Sequence, residues 1–101
     1  MQVEGIHNWP ECPFEDVSFL RDEHRHIFHI RVEKKVTRED REIEIIRLKR
    51  AVLSFLESKF GSPAKFGRMS CEEIAVLLFK QFALNSCEVL EDGENGAIVE
   101  I

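Results

Sequence analysis

Residues 24–33 read HRHIFHIRVE, and this stretch decides how the rest of the chain can be arranged. Side chains in a β-strand point alternately to opposite faces, so this pattern of period two predicts a strand. We extend the predicted strand over residues 17–36, with a bend in its course. One face of its regular part carries His24, His26, Phe28, Ile30 and Val32, and the other carries Arg25, Ile27, His29, Arg31 and Glu33.

Two amphipathic helices are predicted after this strand. Thr37 is followed by acidic residues with the spacing of a helix cap, and Gly61 is a typical helix stop. The apolar stripe of this first helix consists of Ile45, Leu48, Val52, Phe55 and Leu56. Ser70 opens a second capping box, and the helix that it begins ends near Asn85. Its predicted buried face is formed by Ile74, Leu77, Leu78 and Phe82.

Short strands at both ends of the chain complete the predicted fold. Residues 2–7 form one strand, and residues 87–91 and 97–101 form a hairpin around a turn rich in Gly and Asn. The order strand–strand–helix–helix–strand–strand predicts an α+β fold. We expect a four-stranded antiparallel sheet with both helices on one face, formed by a single domain over residues 1–101.

Length and charge exclude several classes of protein. A chain of 101 residues has room for one domain, and its net charge of −5 lacks the basic excess of a nucleic-acid binder. The longest apolar run, residues 74–79, is far shorter than a membrane span. The first residues show no signal peptide, and three scattered cysteines do not form a disulfide framework. We therefore expect a cytoplasmic protein that binds neither nucleic acid nor membranes.

The His24-Arg25-His26 tripeptide is the strongest functional signal in the sequence. Two histidines on one face of a strand can both reach one divalent cation, and His7 on the neighbouring strand is the natural third ligand. Three histidines with one open coordination position are typical of catalytic zinc. The alternative is that His-x-His occurs by chance on a solvated strand face. His29 points to the opposite face and is interpreted as a surface or packing residue.

The combined pattern resembles the 6-pyruvoyl- and 6-carboxy-tetrahydropterin synthases, the pterin-converting members of the tunnelling fold. Members of that family carry a histidine at the end of the first strand and a His-x-His-x-aromatic motif on the second, similar to His7 and residues 24–28 here. The resemblance implies zinc bound by His7, His24 and His26. It also implies that Glu91 in the last hairpin anchors the ring of a reduced pterin or purine-like ligand. Without the resemblance, Glu91 would be interpreted as a solvated hairpin residue.

Two departures from the family concern catalysis. The family's catalytic cysteine lies four residues before the His-x-His motif, where this sequence has Leu20. Cys12 is the candidate replacement, although an ordinary loop cysteine without a role is the simpler interpretation. The family's Asp-His pair after the first helix has no counterpart in residues 56–61. These differences concern residues that the family uses in catalysis, whereas the residues implied for the zinc site and the ring anchor are present.

Three functions follow from these observations. The first is a zinc-dependent, pterin synthase-like lyase, and the second is a catalytically degenerate protein that only binds a pterin- or purine-like ligand. The third is an assembly protein in which the histidines have no role. One four-stranded sheet leaves two exposed edge strands, which proteins usually pair or cover. Because family members close several sheets into a barrel, we also expect a homo-oligomer.

Overall fold

Residues 1–101, described here by a computed structural model, form five strands, two α-helices and one 3₁₀-helix. The strands are β1 (Gln2–His7), β2 (His24–Glu33), β3 (Ala64–Gly67), β4 (Ser86–Glu91) and β5 (Asn95–Glu100). The α-helices are α1 (Ile45–Phe60) and α2 (Cys71–Gln81), and the 3₁₀-helix spans Glu15–Arg21. The predicted α+β class is confirmed.

The sheet differs from the prediction in one strand. Its order is β3-β1-β2-β4-β5, with antiparallel pairing throughout except between β1 and β3, which run parallel. The prediction of four antiparallel strands is therefore wrong, because a fifth strand forms between the two α-helices, where none was predicted. Ala64 and Phe66 alternate inward there and are buried against the core, which draws this segment onto the edge of β1. The chain forms an open sheet, not a closed barrel.

The segment before β2 is helical, so the predicted long strand over residues 17–36 is wrong at its beginning. Residues 15–21 wind into the 3₁₀-helix, and only residues 24–33 pair with other strands. Local bonds explain this turn: the Arg21 side chain donates to the Cys12 carbonyl and to the Glu15 carboxylate, both at 2.9 Å. Phe19 remains 64% exposed. The alternating pattern before residue 24 therefore has no buried face that would stabilise a strand.

Helix α1 begins eight residues later than Thr37. The cap is Glu44, whose carboxylate accepts a hydrogen bond from the Arg47 backbone N–H at 2.7 Å. Thr37 instead donates its hydroxyl to the Glu42 carboxylate at 2.8 Å, inside an irregular and charged segment. A helix needs an apolar face to pack, and that face starts only with the stripe after residue 44.

Both α-helices pack on the face of the sheet that carries Phe28. Side chains from α1, α2 and the sheet share one cluster of 13 buried residues. Ile45 was predicted in the buried stripe of α1, but it is 79% exposed because it lies in the first turn, beyond the edge of the core. The fully buried members of the cluster are Phe28, Ile30, Val52, Leu56, Ala64, Ile74, Ala75, Leu78, Cys87 and Val89. Neither α-helix has the length and apolar character required to cross a membrane.

Gly5 allows a close approach in the centre of β1. A Cβ atom there would lie 2.6 Å from the Phe66 ring and 2.9 Å from the Phe28 ring, and both rings are buried. We predict that Gly5→Ala lowers the free energy of unfolding by about 1–3 kcal/mol, because the core must shift to admit the methyl group. Urea denaturation followed by circular dichroism measures this change.

Gln2→Ala is the matched control for Gly5→Ala. Gln2 lies on the same strand, its side chain is exposed and it forms no side-chain hydrogen bond, so its loss should change stability by less than about 0.5 kcal/mol. Equal midpoints for the two variants would contradict the overpacking argument.

Candidate metal centre

Three of the four histidines meet where β1 and β2 pair. The antiparallel register sets His7 directly opposite His24, and His26 lies one pleat further along the same face of β2. The ring centroids are 4.5 Å apart for His7 and His24, 5.5 Å for His7 and His26, and 5.0 Å for His24 and His26. His29 lies on the opposite face of β2, as the alternation predicts.

Each of the three rings is held through its Nδ1 atom. The Nδ1 of His7 lies 2.9 Å from the Met69 carbonyl oxygen, and that of His24 lies 2.9 Å from the Asp22 carbonyl oxygen. The Nδ1 of His26 lies 2.7 Å from the Asp92 carboxylate. Carbonyl and carboxylate oxygens only accept hydrogen bonds, so every Nδ1 must carry the proton. In the neutral rings the lone pair is therefore on Nε2, the form in which imidazole binds a metal.

The donor atoms converge on one point. One ligand atom each from His7, His24, His26 and Glu91 fall within 4.8 Å of one another. The Nε2 atoms of His7 and His26 are buried and have no hydrogen-bond partner. A buried polar atom without a partner is costly, and a cation at this point would satisfy both nitrogens. The residues present therefore fit a divalent metal ion.

The contact between His26 and Glu91 points to the same need for a cation. The His26 Nε2 lies 2.6 Å from Glu91 Oε2, yet the pair does not meet hydrogen-bond geometry. With the proton of the neutral ring on Nδ1, two lone pairs face each other at this distance. Such a contact is favourable only when a positive charge, a proton or a metal ion, is shared between the two atoms.

The electrostatics of the cluster follow from the single carboxylate at its side. The imidazole of His7 holds the pKa of Glu91 below its ordinary value, and the charge of His26 adds to this effect against the opposing effect of burial. Burial lowers the pKa of His7, but Glu91 and the Met69 carbonyl outweigh it, so the net pKa is raised. A proton and a metal ion thus compete for the Nε2 atom of His7.

A cavity of about 630 Å³ opens beside the cluster. Its lining includes His7, His24 and Glu91 together with Trp9 and Leu20. This volume is within the range of small-molecule sites, roughly 300–1,000 Å³. The indole of Trp9 is 43% exposed, so it offers a flat apolar surface at the cavity without closing it.

Cys12 does not belong to this site. Its side chain is only 2% exposed and does not line the cavity. The thiol points into the turn of the 3₁₀-helix, where it lies 3.8 Å from the carbonyl oxygens of Phe14 and Val17. The structure thus separates the predicted catalytic residue from the histidines with which sequence reasoning grouped it.

Cys71 is the cysteine that the structure brings to the site. It is the first residue of α2, it lines the cavity, and its Sγ lies 3.6 Å from Glu91 Oε1. Burial raises the pKa of this thiol to about 12, and the charge of Glu91 adds to the shift. The capping box at Ser70 was visible in the sequence, but it indicated only that Cys71 starts a helix.

No model of a known protein family and no curated protein matches this sequence.

Proposed function

We propose that this chain is a zinc-containing, pterin synthase-like protein that binds or acts on a reduced pterin or a purine-like ring. His7, His24 and His26 would hold the metal, and Glu91 would anchor the ring. The observation that carries the proposal is the convergence of imidazole nitrogens whose opposite nitrogens all face acceptors.

The chemistry of the donor set supports zinc. Three neutral imidazoles with an open position are a common catalytic zinc arrangement. Zinc bound there would act as a Lewis acid on a ligand oxygen. The three outer acceptors fix the orientation of the rings before any ion binds, which lowers the cost of assembling the site. The same donor set also suits other divalent transition metals.

The position of Glu91 supports recognition of a ring with adjacent N–H groups. Its carboxylate belongs to the cluster and also lines the adjoining cavity, and its lowered pKa keeps it ionised at neutral pH. An ionised carboxylate can accept two parallel hydrogen bonds from an amidine-like ring edge. Trp9 lines the same cavity and offers a face on which a planar ring can stack.

The order of strands adds a second, weaker support. The antiparallel run β1-β2-β4-β5, with two helices on one face, corresponds to the arrangement expected from the resemblance. The additional strand β3 lies outside this run, on the free edge of β1.

The second candidate function is ligand binding without turnover, and Leu20 favours it. This residue takes the sequence position of the family's cysteine and lines the cavity as an apolar side chain, where it can move no proton. Proton transfer by a side chain requires a group within hydrogen-bond reach of the reacting atom. Among the cysteines, only Cys71 lines the cavity.

The first test of the proposal is metal content. We predict that protein purified without chelators contains about one zinc ion per chain, and that His24→Ala/His26→Ala removes it because one imidazole cannot hold the ion alone. Inductively coupled plasma mass spectrometry measures the metal. His29→Ala is the matched control, since it removes a histidine of the same strand from the opposite face. Absence of bound metal in the unchanged protein, also after addition of zinc, would refute the proposal.

The second test is ring recognition by Glu91. We predict that zinc-loaded protein binds a reduced pterin, and that Glu91→Gln weakens binding about 10- to 100-fold, because the amide replaces a charge-assisted pair. Isothermal titration calorimetry measures the affinity at verified equal zinc content. Glu94→Gln makes the same change in the same hairpin, outside the cavity lining, and should leave the affinity unchanged. Equal affinities of the Glu91 variant and the unchanged protein would exclude the anchoring role.

Turnover of dihydroneopterin triphosphate separates the enzyme from the binding protein. If product forms, Cys71→Ala should abolish it and Cys12→Ala should leave it unchanged, because only Cys71 lines the cavity. Binding without product would favour the second candidate. Full activity of Cys71→Ala would show that Cys71 takes no part, and full activity of both variants would show that neither cysteine does.

Assembly into a homo-oligomer remains part of the proposal. Both outer strands, β3 and β5, have one unpaired edge, and such edges favour pairing with another chain. We predict that sedimentation velocity shows an oligomer at micromolar concentration, in which sheets of several copies join. A strict monomer across the accessible concentration range would contradict this expectation.

A further inference from the structure

The turn between β4 and β5 is hydrogen-bonded to β2 by Asp92. Its backbone N–H donates to the Ile27 carbonyl at 2.7 Å, and its Oδ1 accepts from the Ile27 N–H at 2.9 Å. Its other oxygen, Oδ2, lies 2.7 Å from the Nδ1 of His26. Asp92 therefore joins the hairpin to β2 next to the histidine of the cluster.

We propose that Asp92 is a positioning residue that fixes the tautomer of His26, and thereby presents the Nε2 lone pair to the metal. This inference rests on the proposed metal centre. Asp92 is suited to the role because its carboxylate accepts at both oxygens and cannot rotate freely. One oxygen is tied to the backbone of β2, so the other stays directed at the ring.

The three histidines differ in the group that accepts the hydrogen bond from Nδ1. Main-chain carbonyls hold His7 and His24, whereas His26 is held by a side chain that carries a full charge. A carboxylate behind a metal-binding histidine raises the basicity of the ring and orients it, which typically contributes 10- to 100-fold in metal affinity. Since the acceptor at His26 is the side chain of Asp92, a substitution can remove its contribution to metal affinity without altering the backbone that forms the site.

Backbone geometry makes Asn the informative replacement. Asp92 has a φ of 55°, in the left-handed region that Asn tolerates well. In Asp92→Asn, the Ile27 N–H still requires an acceptor, so the amide oxygen takes that place. The amide N–H₂ group then faces the Nδ1 of His26 and can only donate to it. Nδ1 must become the acceptor, and the ring proton moves to Nε2, which lies 2.6 Å from Glu91 Oε2.

The first readout is the tautomer of His26 in metal-free protein. Long-range ¹H–¹⁵N spectra distinguish the two tautomers. They are recorded at a pH at which the spectra themselves show that the ring is neutral. We expect the proton on Nδ1 in the unchanged protein and on Nε2 in Asp92→Asn. A merely structural role of Asp92 would leave the tautomer unchanged, so this measurement separates positioning from stability.

The second readout is zinc affinity, measured by competition with a chromophoric chelator. We expect Asp92→Asn to bind zinc about 10- to 100-fold more weakly, because His26 must first return to the other tautomer. Asp92→Gly keeps the positive φ and removes the carboxylate, and we expect mixed tautomers with an intermediate loss. Glu94→Gln, the same type of change in the same turn, should alter neither readout.

The two proposals fail in different ways. Unchanged tautomer and zinc affinity in both Asp92 variants would overturn the positioning role, and so would a proton on Nε2 in the unchanged protein. A tautomer shift in Asp92→Asn, together with zinc binding too weak to measure in the unchanged protein, would support positioning of His26 but refute the metal centre.

Discussion

The antiparallel register of β1 against β2 is the constraint on which the candidate site depends. It sets His7 opposite His24 and Gly5 opposite His26. A slip of one residue would turn every side chain of β1 to the other face and separate His7 from its partners. Gly5 helps to hold the register, because it is a position where the Phe28 and Phe66 rings leave no space for a side chain. Packing of the core and assembly of the site therefore both require the same register of β1 against β2.

The cluster lies at the end of the core, and this placement gives it its electrostatic character. The centroid of the buried Phe28 ring lies 5.2 Å from the ring centroid of His7 and 5.8 Å from that of His26. The Nε2 atoms of His7 and His26 are buried, so leaving them unpaired is costly and their interaction with a charge is strong. Glu91 is the one carboxylate in the cluster, and it compensates for only part of a divalent charge. A divalent cation held there would keep a net positive charge, which could attract an anionic or polarisable ligand.

Sequence reasoning succeeded where the signal is local and failed where the structure depends on distant contacts. The strand over residues 24–33 is visible because its alternation runs over the whole element, and Ser70 and Glu73 do form the predicted capping box. Strand β3 was missed because a short strand next to glycine and proline has no signal of its own and forms through its pairing with β1. The start of α1 was misplaced because Thr37 carries a cap signature without an apolar face behind it.

The same distinction explains the candidate site. His24 and His26 are two residues apart in sequence, and His7 followed from the expected pairing of its strand with theirs. The resemblance supplied Glu91, and the structure brings the four residues together. Asp92 and His26 are 66 residues apart, and only the docking of the turn onto β2 makes them neighbours.

The cysteines show why proximity in sequence is a poor guide to this cavity. Cys12 is the closest cysteine to the His-x-His motif along the chain, yet the intervening 3₁₀-helix turns its thiol toward main-chain carbonyls. Cys71 is far from the motif in sequence, but the N-terminus of α2 carries it to the cavity wall beside Glu91. Its thiol is protonated at neutral pH, because burial and the neighbouring carboxylate raise its pKa to about 12. Any thiol chemistry in this cavity must therefore begin from a proton donor on α2, not from a thiolate in the loop before β2.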